Sequence, residues 1–328
     1  WEPSNTGLSN VRCDMLQYRT SDKQVAIATH GRGLFTTTAF AAPVVVSANY
    51  TATPKIGYEN MNFTFTDAST AATSYNWNFG AGATPATATT KGAHTVAYSN
   101  YGWKASSLNI NAGASAKNLT ANAVLPYSML NYLPANGGDF ETDNGHFIAE
   151  TVTTGFAFQR GNSAVAGKNG TAGGTNAWVT ALAGNYPDNA TAILYTPSFN
   201  FGATGNYTFE FKAKYVFENN YDGFIVEYST NKGSTWTQLG NTVEANWYNG
   251  TKLNSEGFAT GTPFFTGTTG GVFSTFAGNV NFLAGNAQVA FRFVFKSDGS
   301  STNDAGVAID DFKITAPLSN IAFSPLHN

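Results

Sequence analysis

The chain has 328 residues, of which 42% are hydrophobic and 14% aromatic, enough apolar material to bury cores for two or three domains. Only 11% are charged and the net charge is -3 with no basic cluster, which excludes the electrostatic footprint of a nucleic-acid binder and a polybasic membrane patch. Cys13 is the single cysteine, so no intrachain disulfide forms, and the low-charge, Gly/Thr/Ser/Asn-rich composition is that of secreted β proteins of a bacterial exterior.

The first segment, residues 1–41, opens at Trp1-Glu2-Pro3 without a charged start or an apolar run. It carries Leu8-Ser9-Asn10-Val11-Arg12, Leu16-Gln17-Tyr18-Arg19 and Val25-Ala26-Ile27-Ala28-Thr29-His30-Gly31-Arg32-Gly33-Leu34-Phe35. The Thr-His-Gly-Arg-Gly-aromatic run resembles the closing blade of BNR or sortilin-like β-propellers. A blade buries its faces against neighbouring blades, so this segment is expected to pack on further blades or to be poorly supported. His30 and Arg32 have no Ser, Cys or carboxylate at useful spacing, which favours a structural role, with Gly31 and Gly33 turning the backbone.

Residues 42–112 alternate strongly. Tyr75, Trp77 and Phe79 fall on one side of an extended segment, with Ser74, Asn76, Asn78 and Gly80 on the other. Asn62–Asp67 repeats the pattern, and His94–Tyr98 and Ala105–Ile110 read as further strands of an antiparallel sandwich. The Trp77-Asn78-Phe79-Gly80 stretch with its glycine turn, and Gly92–Val96 with Tyr98, resemble PKD domains of the Bacteroidetes type, which implies an Ig-like β-sandwich. Family members usually carry Asp where this chain has Asn78, which removes a charge from that turn.

Residues 113–137, rich in Gly, Ala, Ser and Asn with Pro126 and Pro134, read as a linker with apolar anchors such as Leu125, Tyr127 and Tyr132. The next domain, residues 138–317, opens with Gly138-Asp139-Phe140-Glu141-Thr142 and closes with Val307-Ala308-Ile309-Asp310-Asp311-Phe312-Lys313-Ile314. Between them, period-two strands are expected at 192–199, 207–213, 222–229 and 289–295. The Phe-Glu opening and Ile-Asp-Asp closing resemble MAM-like jelly rolls, most of all the cleaved-adhesin domains of Bacteroidetes surface proteins. Residues 318–328 read as a further linker. The uncharged stretches are broken by Pro, Gly and Thr, so no membrane insertion is expected.

In a jelly roll the first and last strands are commonly neighbours, which draws Asp139, Glu141, Asp310 and Asp311 together. Four converging carboxylates repel unless a cation sits between them, and hard oxygen ligands suit Ca²⁺. The resemblance implies the same structural Ca²⁺. The alternative is that Asp310 and Asp311 face opposite ways, solvated or capping, with Lys313 or Arg292 as partner. Asp222 and Asp304 are outside candidates.

Aromatic residues supply a second set. Tyr186, Tyr221, Trp247 and Tyr248 lie in loop-like, Asn/Gly/Asp-rich surroundings, where sugar stacking and edge packing both remain open; Trp178 and Trp236 sit in strand patterns that favour the core. Metalloprotease, serine-hydrolase and phosphate-loop motifs are missing. The expectation is thus an all-β, non-catalytic adhesion or substrate-binding region. Its partner is an extracellular glycan or surface protein, at the cell surface or beyond it. The resemblance implies export by the type IX secretion machinery. The alternatives are accessory modules of an exported peptidase or glycosidase, and a passive component of a secretion or gliding assembly.

Overall fold

The computed structural model describes residues 12–37, 45–127, 129–130, 138–202, 205–241, 243–300 and 304–315. The protein is all-β, and helix among these residues is confined to the single turns Asn111–Gly113 and Asn281–Leu283. No helix among the described residues is long and apolar enough to cross a membrane.

The first sheet is an antiparallel meander of Cys13–Arg19, Gln24–Thr29 and Gly33–Thr37. All seven residues of its first strand are exposed, and Val25 is the buried apolar side chain of the meander. Gly31 and Gly33 adopt φ of 84° and 90°, which forms the turn expected beside His30 and Arg32; both of those side chains are exposed. Leu8 to Val11 of the same motif lie outside the described residues.

The first sandwich packs two sheets. One runs Tyr50–Thr53, Asn62–Asp67, His94–Tyr98, Ala83–Thr84; the other runs Ile56–Tyr58, Ser115–Tyr127, Lys104–Ile110, Tyr75–Asn78, Thr87–Ala88. Alternation decides the inside. Phe63, Phe65, Trp77, Phe79, Val96, Tyr98, Leu108 and Ile110 are fully buried, while Ser74, Asn76 and Asn78 face solvent. Burial of each such side chain stabilises by about 1.5–3 kcal/mol before entropy is subtracted. The two large polar-tipped rings are satisfied: Trp77 Nε1 donates to the Thr90 carbonyl at 3.0 Å and the Tyr98 hydroxyl to the Phe79 carbonyl at 2.7 Å. Asn78 accepts the Gly80 N–H at 2.8 Å, a turn contact that needs no charge.

The sandwich extends further than the sequence pattern indicated. Ser115–Tyr127 is a strand, paired antiparallel with Lys104–Ile110 and parallel with Ile56–Tyr58, so most of the segment expected as a linker is ladder. Small residues masked it, because its apolar positions are few: Val124 faces the first sandwich's core and Leu125 the opposite side, against Ile148 and Tyr195. Residues 131–137 and 318–328 of the two expected linkers lie outside the described residues.

The second sandwich also has two sheets. One is ordered Met129–Leu130, Thr191–Phe199, Val289–Lys296, Gly223–Ser229, Thr237–Gln238, with Ile148–Thr151 also paired to Thr191–Phe199. The other is Phe158–Gly161, Ala177–Thr180, Gly306–Thr315, Thr208–Val216, Ser274–Asn279. Between them lies a phenylalanine-rich core in which Phe209, Phe211, Phe224, Phe265, Phe291 and Phe293 pack at centroid distances of 4.7–6.4 Å. The opening and closing of this unit meet, since Gly138 and Phe312 form an antiparallel bridge.

Candidate binding cleft between the two sandwiches

The expected carboxylates are placed as follows. Glu141 accepts the Thr175 and Asn176 N–H groups at 2.8 and 2.9 Å, and these bonds hold its carboxyl below the usual range. Asp310 is fully buried; its Oδ2 accepts the Ala172 N–H at 2.7 Å and its Oδ1 the Asp311 N–H at 2.8 Å, while burial pushes it up to about 6. Asp311 turns away to Lys212 at 2.8 Å, and Asp139 is exposed, accepting the Glu141 N–H at 3.3 Å. Glu141 and Asp310 thus converge on one segment, residues 172–176, and fasten it through N–H donors. No three of the four carboxylates bring oxygens within 4.8 Å of one another.

That spacing is reached elsewhere, by Glu218, Asp222 and Asp298. The group is already supplied with a cation, because buried Lys252 stands 3.9 Å from Asp298 and donates to the Tyr221 carbonyl. Asp298 Oδ2 accepts Asn254 Nδ2 at 2.8 Å, and Asp222 accepts the Asp298 N–H at 2.7 Å. Asp304 does not join it; its carbonyl accepts the Tyr186 N–H.

Three of the four expected ligand-stacking rings are core. Trp247 donates to the Leu239 carbonyl at 2.9 Å, the Tyr248 hydroxyl bridges the N–H and carbonyl of Val226, and Tyr186 packs on Phe295; all three are at most 3% exposed. Their polar neighbours in sequence had suggested loops, but each ring is folded under the loop that carries it, with its polar tip satisfied internally. Tyr221 is half-buried. Trp178 is buried as expected, whereas Trp236 is not: it is half-buried on an open cleft.

The cleft follows from register. Tyr195 pairs with Arg292 and with Ile148, Ile193 with Glu150, and Glu227 with Arg292, so these side chains share the outer face of one sheet. Their neighbours Leu194, Phe293 and Val226 face the core. The first sandwich lies on part of this face: Ile56, Tyr58 and Leu125 pack with Ile148, Tyr195 and Ala290, the Tyr58 hydroxyl donates to the Gln288 carbonyl at 3.4 Å, and Tyr101 stacks on His146 at 4.6 Å. His146 has φ of 60°, in the turn expected for it.

What remains open is a cleft of about 510 Å³. Pro54, Lys55 and Ile56 form one wall, Gly233, Ser234 and Trp236 another, with Glu150, Ile193, Tyr195 and Arg292 beneath. Trp236 is held by an asparagine-centred turn, in which Asn231 Oδ1 accepts the Thr235 N–H at 2.9 Å and Asn231 Nδ2 donates to Thr235 Oγ1 at 2.7 Å. Gly233 adopts φ of 72°, and a Cβ there would stand 2.6 Å from Ile56 Cγ2, so glycine lets the turn approach the first sandwich. The Arg292 guanidinium lies 4.4 Å from the Trp236 ring centroid and 2.6 Å from Glu227. Glu150 accepts the Tyr195 hydroxyl at 2.6 Å and Lys55 at 3.3 Å across the junction. Burial first, and then the charge of Glu150, keeps the Tyr195 phenol protonated.

No protein-family model matches the chain, and no curated protein matches it. Among solved structures, it is similar to the K1 cleaved adhesin domain of Lys-gingipain from Porphyromonas gingivalis W83, at 12% identity and a TM-score of 0.30 over 57% of this chain and 94% of that one. It is also similar to TmCBM61 in complex with β-1,4-galactotriose, at 13% identity and 0.33 over 57% and 99%. A third similarity, to SGBP-B from a xyloglucan utilization locus in Bacteroides uniformis, spans 94% of this chain and 86% of that one at 8% identity and 0.27.

Proposed function

We propose that this chain is a non-catalytic binding region of a secreted or surface-displayed bacterial protein, with an extracellular glycan or a surface protein as its partner. The observation that carries the reading is the cleft at the junction: Trp236 on an internally bonded turn, Glu150 and Arg292 on strands and Lys55 in the bend before Ile56, around an open volume in the range of small-ligand sites. The sequence resemblances fit the same reading, with a propeller end, a PKD-type spacer and a cleaved-adhesin-like jelly roll, and with export through the type IX machinery as part of the proposal. Retention of the full chain on insoluble polysaccharides and on immobilised surface proteins tests it. Binding to either supports it, and binding to neither sinks it.

The Ca²⁺ proposed from the sequence at Asp139, Glu141, Asp310 and Asp311 has its own measurement. The hydrogen bonds support a segment fastened by its own N–H groups. A rise in Tm with CaCl₂ that Asp310→Asn abolishes would assign the ion, because a ligand of the folded state raises stability by mass action. An unchanged Tm would assign the fastening to the N–H groups alone.

A further inference from the structure

We infer that the junction cleft is a saccharide site built jointly by the two sandwiches, and that its ligand is a neutral oligosaccharide. This rests on the binding-region reading and names its ligand class.

The floor of the cleft is the outer face of a sheet in which Thr191–Phe199, Val289–Lys296 and Gly223–Ser229 are paired on both sides and Ile148–Thr151 is paired with Thr191–Phe199. A peptide that binds by adding a strand runs along a sheet edge, here beside Ile148–Thr151, whereas the face that floors the cleft presents side chains. Those side chains are Trp236, which supplies ring surface, and Lys55, Glu150, Arg292 and Ser234, which supply hydrogen-bonding groups around it. Hydroxyl-rich pyranose rings match that combination, with C–H faces against the indole and hydroxyls exchanging hydrogen bonds with ammonium, carboxylate and guanidinium.

Charge decides between neutral and ionic sugars. Lys55 is paired with Glu150 and Arg292 with Glu227, so two positive and two negative groups cancel at the cleft. Neither sign of ligand gains a steering field.

The site is composite because neither sandwich owns it. Lys55 and Ile56 belong to the first and Trp236, Tyr195 and Arg292 to the second, and Gly233 meets Ile56 directly. A ligand bound across them is therefore linked to their docking.

Isothermal titration of the full 328-residue chain with cello-, manno- and galacto-hexaose and with a hexagalacturonate tests the inference, and intrinsic fluorescence and Tm establish that each variant is folded. The expected result is saturable binding of a neutral hexaose. Trp236→Ala should weaken it by roughly tenfold, about the contribution of one aromatic face. Gly233→Ala, which removes no contacting group, should also weaken it, and Phe282→Ala, an exposed ring outside the cleft lining, should not. Neutral-hexaose binding unaffected by Trp236→Ala and Gly233→Ala would overturn the site, and preference for the hexagalacturonate would overturn the neutral class. If none of the four sugars binds while surface proteins retain the chain, the saccharide inference falls and the proposed function stands. Failure of both experiments removes both.

Discussion

Lys168 is fully buried and has no carboxylate partner among the described residues; its ammonium donates to the Thr180 and Gly184 carbonyls at 2.6 and 2.9 Å, and burial pulls it down to about 8. Its folded value lies below the unfolded one near 10.4, so between these values the unfolded chain holds the extra proton and stability rises with pH. Relative to Lys168→Met, the protein should gain stability from pH 8 to 10, by at most about 1.4 kcal/mol per pH unit, as read from urea midpoints. Asp222 runs the other way. Burial, with the charges of Asp298 and Glu218 adding to it against the hydrogen bonds it accepts, pushes Asp222 up to about 6. Its folded value exceeds the unfolded one near 3.9, so its contribution is present below pH 4 and lost as pH rises through 6. Asp222→Asn keeps an acceptor for the Asp298 N–H and should flatten the stability profile between pH 4 and 6. A profile unchanged by the substitution would place the proton elsewhere. Gly80 is tested by sterics: at φ of 89° an added Cβ would lie 2.1 Å from the Ala105 carbonyl oxygen, so Gly80→Ala should destabilise by roughly 1–3 kcal/mol in thermal unfolding.

At the scale of elements, the strands were legible where one face is wet and the other dry. Asn62–Asp67 and Tyr75–Asn78 wrote their burial into an alternation of Phe, Tyr or Trp with Thr or Asn, and Thr208–Val216 did the same. Ser115–Tyr127 was not legible, because it reads as small and polar until the ladder partners on both sides are known. The cleft was hidden for a related reason. Trp236 follows a Gly-Ser-Thr turn and looks like one more sandwich ring, and only the approach of Ile56, a residue far away in sequence, decides that it borders an opening. Leu125 carries the junction from the first sandwich's side, fully buried among Ile148, Tyr195 and Ala290. Leu125→Ala should cost about 2–5 kcal/mol, because a cavity at a site clamped between two sandwiches collapses poorly. The loss should appear as a separation of one unfolding transition into two by calorimetry; a single transition with a simple downward shift would mean that the sandwiches remain coupled through the rest of the contact.

For the whole molecule, the contrast is between two sandwiches with aromatic cores and a three-stranded sheet that has none. Met15, Leu16 and Leu34 are 65–69% exposed, and the strand Cys13–Arg19 has no buried residue. A sheet of this size gains stability only when a face is covered, and the apolar side chains that would supply it lie in water. Its backbone ladders nonetheless run across all three strands, with one register shift between Cys13 and Met15. Hydrogen exchange separates local from global stability, since amides in weakly supported segments exchange through small openings. In the isolated chain, the amides of residues 13–37 should exchange within seconds, while those of Thr191–Phe199, Val289–Lys296 and Lys104–Ile110 exchange only through global unfolding. Protection of the meander comparable to that of the sandwiches would show that a layer does cover it.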